Sequence, residues 1–230
     1  MSTFEPARIR CRCGHEQDVQ LANGLHISKR PDIRQQILDG TFHRFSCPAC
    51  GGSIQIETLL AYTDFPKQHW FTIVPDRDLD VRGERVAFAK HVFERNMVER
   101  TVPIMQELAP QMTQRVIFGL ASLRDKLVCF DAALDDRLVE ALKIQLLRDL
   151  GLALAPGTYF YLAEVTGAEL TFEYAPPDAD GTKQLTIPRT MLDELAHERA
   201  QLEAAVPELW NDIVVDYRVI LVPDASAPAA

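Results

Sequence analysis

Cys47-Pro48-Ala49-Cys50-Gly51, read together with Cys11-Arg12-Cys13-Gly14, decides the architecture of the N-terminal part of this chain. In the later motif two cysteines three positions apart lie on one tight turn that aims both sulfurs at a single point, and Gly51 permits the backbone geometry at the end of that turn. The earlier motif has only one residue between its cysteines. Side chains at i and i+2 of an extended segment share a face, so these sulfurs also converge. Four thiolates are a preferred tetrahedral set for zinc where disulfides do not form. Cys11, Cys13, Cys47 and Cys50 are therefore the expected metal ligands. Such a site leaves no open position for water or substrate, so the zinc is structural and no catalytic residue is assigned. Three other readings stay open: four unligated thiols, a redox pair at Cys47 and Cys50, or His15 or His43 standing in for Cys11 or Cys13.

Length and composition fit an ordinary folded protein: 230 residues, 47% hydrophobic and 25% charged. Met1 to Arg10 is polar and broken by Pro6, unlike a secretory leader, and no apolar run approaches the length of a membrane span. The expected compartment is the cytoplasm, where paired cysteines more often mean metal than disulfide. The fifth cysteine, Cys129, lies between Val128 and Phe130 and reads as a small buried hydrophobe. The net charge is −9, yet residues 1–50 carry seven Lys or Arg against five Asp or Glu, leaving −11 on the remainder. An acidic body repels phosphate. Nucleic-acid binding would have to rest on Arg8, Arg10, Arg12, Lys29, Arg30 and Arg34.

Outward from the cysteines, Gln17, Val19 and Leu21 alternate as in a hairpin strand, and Asn23-Gly24 signals a turn. Pro31 opens a short helix with Ile33, Ile37 and Leu38 on one side and Gly40 at its end. Strands are expected at Thr41–Ser46, Ser53–Tyr62 and His69–Val74. Val86, Ala89, Phe93 and Met97 then mark a helix, and Arg115–Phe118 a strand stopped at Gly119. Capping-box spacing at Ser122 and at Thr190 predicts two helix starts. Asp135 and Asp136 open a helix striped by Leu138, Leu142, Leu146 and Leu150, so capping accounts for these two carboxylates. Further strands are expected at Tyr159–Val165, Glu169–Tyr174, Leu185–Ile187 and Val214–Val222, with a solvated loop at Pro176–Gly181. Tyr159, Phe160, Tyr161, Phe172 and Tyr174 divide by alternation between core and sheet surface.

The motif order resembles the CpXC family of bacterial and archaeal proteins. The residues that carry the likeness are the C-x-C-G motif, Arg30-Pro31-Asp32 through Leu38-Asp39-Gly40, Cys47 to Gly51, and Leu60-Ala61-Tyr62-Thr63-Asp64. Arg115-Val116-Ile117-Phe118-Gly119, Leu123 to Leu127 and Leu134-Asp135-Asp136 are similar to the downstream part of that family, so the likeness covers most of residues 9–150. Members usually carry two CPxCG-type knuckles. The resemblance thus implies the zinc role for the four cysteines, with one residue missing between Cys11 and Cys13, and it implies no activity.

The expected fold is α+β: an N-terminal zinc-ribbon-like β lobe with an inserted short helix (1–80), a larger mixed α/β body (81–223) and a disordered tail (224–230). The favoured role is a non-enzymatic module that binds a protein through the ribbon surface or the sheet of the body. The alternatives are an enzyme with its site between the lobes and nucleic-acid binding through the basic N-terminal lobe. His69 and His91 have no nucleophile and orienting group that can be placed beside them, and no phosphate-cradling loop is present. No membrane partner is expected.

Overall fold

Two antiparallel strands, Thr3–Arg10 (β1) and Glu16–His26 (β2), open the fold, and the turn between them carries Cys11 and Cys13. The computed structural model describes residues 2–99, 101–152, 158–175 and 181–226. Although polar and interrupted by Pro6, β1 is stable as a strand because it lies at the sheet edge, where a missing N–H costs no ladder bond. Arg10 pairs with Glu16, and the ladder runs up to the cysteine turn. After the helix Pro31–Leu38 (α1), with Ile33 and Ile37 buried, come Arg44–Ser46 (β3) and Ser53–Gln55 (β4), a short hairpin whose turn holds Cys47 and Cys50.

Leu60–Asp64 (β5), His69–Val74 (β6) and Thr113–Phe118 (β7) complete a five-stranded sheet of order β1-β2-β5-β6-β7. Pairing is antiparallel for β1/β2 and β5/β6, and parallel for β2/β5 and β6/β7. All six residues of β6 are buried, as expected of an inner strand covered on both faces. The predicted helix forms at Arg82–Glu94 (α2) and runs on as a π-turn to Glu99. Its stripe of Val86, Ala89, Phe93 and Met97 is buried. Trp70 meets Phe93 edge to face with ring centroids 5.5 Å apart, in one apolar cluster with Met97, Ala109 and Met112. A short helix, Pro103–Leu108 (α3), precedes β7.

By its contacts the chain divides into one unit of residues 1–78 and 84–120 and another of residues 79–83 and 121–230. In the second, Leu120–Asp131 (α4) and Asp136–Asp149 (α5) accompany a three-stranded antiparallel sheet of Tyr159–Val165 (β8), Glu169–Ala175 (β9) and Lys183–Pro188 (β10). Thr190–His197 (α6), Arg199–Ala205 (α7) and Glu208–Asn211 (α8) complete the helices described here. Leu142 and Leu147 of α5 share a core with Phe160, Leu162, Leu170 and Phe172. Asp135 caps α5 by accepting from the Arg137 N–H at 2.9 Å. Alternation on β8 and β9 holds: Phe160, Phe172 and Tyr174 are buried, while Tyr159 and Tyr161 stand half-buried on the other face.

Four local expectations are corrected. Asn23-Gly24 lies inside β2 and not in a turn. The Asn23 side chain is taken up by Thr3 and Glu5 across the ladder, and a Cβ on Gly24 would sit 2.8 Å from the Thr3 hydroxyl. Ser122 does not cap α4, which starts two residues earlier. Its Leu120 N–H donates instead to Glu57 Oε1 at 2.9 Å, while Glu57 Oε2 accepts from the Asp76 N–H. Thr190 makes no cap either, because α6 begins at Thr190 itself with Arg189 at the N-cap position. Val214–Val222 is no strand: Asp216 accepts from the Arg218 N–H and turns Tyr217–Ile220 into a 3-10 helix. The loop expected at Pro176–Gly181 lies, apart from Gly181, outside the described residues, as does 227–230 of the expected tail. Asp224, at the start of that tail, accepts from the Gly83 N–H at 3.1 Å.

The second unit also buries charge. Lys143 Nζ lies 2.6 Å from Asp125 Oδ2 and 2.8 Å from Glu140 Oε1, and Lys126 Nζ lies 2.7 Å from Glu140 Oε1 and 3.5 Å from Asp136. Glu140 Oε2 accepts from the Tyr217 N–H, and Arg218 pairs with Asp216 and donates to Ser122. Removing one partner of a buried ion pair strands the other in low dielectric, a cost of about 3–5 kcal/mol. Lys143→Met is therefore expected to lower the stability of this unit by about that amount. Urea unfolding followed by far-UV circular dichroism measures it, and a loss under about 1 kcal/mol contradicts this account of the network.

Candidate metal centre

Both cysteine pairs sit in hairpin turns, and both turns close the same way. In the first, Gly14 N–H donates to the Cys11 carbonyl at 2.9 Å, and Cys11 N–H donates to the His15 carbonyl at 2.8 Å. In the second, Gly51 N–H donates to the Cys47 carbonyl and Cys47 N–H to the Gly52 carbonyl, each at 2.8 Å. Gly14 at φ 92° and Gly51 at φ 72° occupy the left-handed region that a side chain disfavours. The missing residue in the earlier motif shortens the closing ring by one residue. It does not redirect the sulfurs.

The two turns bring all four ligand atoms together. Cys11 Sγ lies 3.6 Å from Cys50 Sγ, Cys13 Sγ lies 3.7 Å from Cys47 Sγ, and all four sulfurs fall within 4.8 Å of one another. Four sulfurs at about 2.3 Å from a central zinc form a tetrahedron with edges of roughly 3.8 Å. The donor set fits a tetrahedral thiolate ion by type, number and spacing. Cys11 and Cys47 are buried, while Cys13 and Cys50 face solvent. Both of these contacts link one motif to the other, so an ion held here would tie the two hairpins together.

Electrostatics point the same way. Burial pushes the Cys47 thiol up, but the N–H groups of Cys50 and Ala49, together with the thiols of Cys11 and Cys13, outweigh it and bring the thiol down to about 6. At Cys50 the Gly52 N–H pulls down, yet the sulfurs of Cys13, Cys11 and Cys47 prevail and push the thiol up to about 12. One thiolate forms readily in this cluster, and further ones are opposed by like charge unless a cation offsets it.

Neither histidine considered as a substitute ligand belongs to the cluster. His15 is exposed in the first turn. His43 is buried, stacks on Phe42 with centroids 4.0 Å apart, and accepts from the Ala22 N–H through Nε2 at 2.9 Å. His69 is buried and stacked on Phe71, whereas His91 is exposed. Cys129 is fully buried and donates to the Leu134 carbonyl. The contribution of Glu57, which ties Asp76 to the start of α4, is invisible in the sequence because nothing local marks a lone glutamate as a cap for a distant helix.

Two hairpin turns that pool four thiols into one cluster, set on an α+β scaffold, define a protein with a potential four-cysteine metal site. The sequence profile of the CpXC protein family matches residues 9–143, and the chain belongs to that family. It is also similar to an uncharacterized protein of Treponema pallidum (strain Nichols), 25% identical over 139 residues that cover 59% of this chain and 60% of the relative. The chain thus spans about three fifths of that relative's length. No solved structure matches.

His43 supplies a pH dependence separate from the cysteines. Burial lowers its imidazole from 6.5 to about 4, against an opposing hydrogen bond with the Ile56 backbone. The unfolded chain then takes up this proton more readily than the folded one. The stability held by neutral His43 is complete above about pH 6.5, declines as the pH falls, and is lost near pH 4. Denaturation series between these limits should show a steeper acid loss for the native protein than for His43→Gln. Parallel slopes would refute the assignment.

Proposed function

We propose that Cys11, Cys13, Cys47 and Cys50 hold one structural zinc ion in a cytoplasmic protein, and that this CpXC protein is a non-enzymatic module that binds another protein. The observation that carries the reading is the spacing of the four sulfurs, which matches a closed tetrahedral site. Zinc with four protein ligands has no position left for a reacting water, so it supplies cross-linking and not catalysis. The first unit also exposes large apolar side chains, Phe88, Val102 and Ile104, with Ile104 63% exposed. Such side chains at a surface are what a protein partner can cover.

The nucleic-acid alternative loses strength from pairing on the same unit. Arg8 is bound to Asp18 and Arg30 to Asp32, so two of its six cations already have carboxylate partners. No helix among the described residues is long and apolar enough to cross a membrane.

Metal analysis of protein purified without added metal should find one zinc per chain. Cys11→Ser and Cys47→Ser should each lose it and expose the first unit to limited proteolysis. A metal-free native protein with the same protease resistance overturns the structural role. For the interaction, the paired change Val102→Glu and Ile104→Glu should abolish a cross-linked partner complex while zinc content stays unchanged. Complexes that survive it, or that dissociate steeply with salt in the manner of phosphate contacts, overturn the proposed surface.

A further inference from the structure

The four thiols of the first unit differ in access, and the difference is ordered. Cys11 and Cys47 are buried, while Cys13 and Cys50 face solvent, so each motif contributes one sulfur of each kind. The contacts of 3.6 and 3.7 Å join Cys11 to Cys50 and Cys13 to Cys47. Each contact therefore sets an exposed sulfur of one motif against a buried sulfur of the other. A metal site asks only that the four converge and is indifferent to which of them is shielded.

Shielding does matter to an oxidant. Sulfurs that ligate zinc are thiolates, and the thiolate is the form that attacks. A hydroperoxide arriving from solvent meets Cys13 or Cys50 first. That sulfur gives an electron pair to one peroxide oxygen, the O–O bond breaks, and a sulfenic acid and a hydroxide result. The buried thiolate across the contact then attacks the oxidised sulfur, expels a second hydroxide and closes a disulfide. Each pair loses two electrons, and one peroxide gains them. The second nucleophile is already in van der Waals contact, which favours the disulfide over further oxidation to a sulfinic acid. Bridging within the motifs is the poorer outcome. It would join Cys11 to Cys13, with one residue between them, through a turn already fixed by the Gly14 N–H on the Cys11 carbonyl.

We propose that Cys13 and Cys50 are the primary oxidation sites of a hydroperoxide-sensitive switch, in which Cys11–Cys50 and Cys13–Cys47 disulfides replace the ion and keep the two hairpins joined. Release of an ion rests on the zinc reading above, whereas the pairing rests on the sulfur geometry alone. Disulfide sulfurs lack the thiolate charge that holds a cation, so oxidation sheds the ion while the first unit stays cross-linked. In a reducing compartment exchange with a small thiol returns the ligands, and two molecules of that thiol are oxidised to its disulfide for each bond reduced.

Full-length protein purified under reducing conditions is first assayed for zinc, then treated with hydrogen peroxide and digested with trypsin without reductant. Cleavage after Arg12 separates Cys11 from Cys13, whereas Cys47 and Cys50 stay on one peptide. Two peroxides per chain should consume four thiols, leave the buried Cys129 free and release one zinc to a chromophoric chelator. The map should contain a three-peptide product whose fragmentation assigns Cys11–Cys50 and Cys13–Cys47, and dithiothreitol should reverse the change. In limited proteolysis the oxidised protein should match the zinc form and resist about tenfold better than reduced, metal-stripped protein. Absence of zinc at the start fails the zinc reading and leaves the peptide map to decide the switch. The switch is overturned by a Cys47–Cys50 bridge, by Cys13–Cys50 together with Cys11–Cys47, by sulfinic acid at Cys13 or Cys50 without a disulfide, or by an oxidised first unit as protease-sensitive as the stripped one.

Discussion

The first unit depends on a meeting of two turns separated by thirty-three residues between Cys13 and Cys47. Nothing in either turn alone requires the meeting. It arises from the frame on which each is mounted: β1 and β2 carry one to the end of their ladder, and the β3–β4 hairpin carries the other. His43 bridges these two parts, since it leads into β3 and accepts the Ala22 N–H of β2. Four sulfurs held this close repel as they ionise, so the frame and a shared cation would support each other. The frame sets the spacing, and a cation would remove the penalty for it.

Legibility from sequence tracked the range of the interaction. Periodicity and punctuation located α1, β6, α2, α5, β8 and β9, because each is determined by its own apolar spacing and end signals. The cysteine cluster was legible for the same reason, with two short motifs whose geometry is nearly complete within five residues. The misses share the opposite property. Asn23-Gly24 has the composition of a turn, but Thr3 and Glu5 from a neighbouring strand absorb its side chain. Ser122 has cap spacing, but the helix start is decided by Glu57, sixty-three positions away from Leu120. The β-branched run after Ile213 looks like a strand, but Asp216 and Arg218 grip one another and wind it.

The buried charges were the least legible feature. On a helical surface, Lys126, Glu140 and Lys143 would read as ordinary solvated residues, and composition cannot tell a paired buried lysine from an exposed one. Burial by itself would neutralise these lysines. Lys143 nevertheless stays protonated, its pKa raised as the carboxylates of Asp125 and Glu140 outweigh desolvation. The pairing reaches across elements, from α4 to α5 and onward to the backbone of Tyr217 and Leu162. A network of this kind tolerates little sliding of one helix on the other, because any shift breaks several charge-assisted bonds at once.

Within that network the two oxygens of Asp125 are treated unequally. Oδ2 receives two donors at 2.6 Å, while Oδ1 receives none among the described residues. Burial drives the pKa of this carboxyl upward, with Lys143 pulling against it, so the charge is held at a cost. The Lys143 ammonium and the Leu162 N–H, both on Oδ2, are what hold that charge in place, so the loss of either donor would leave a buried carboxylate without compensation.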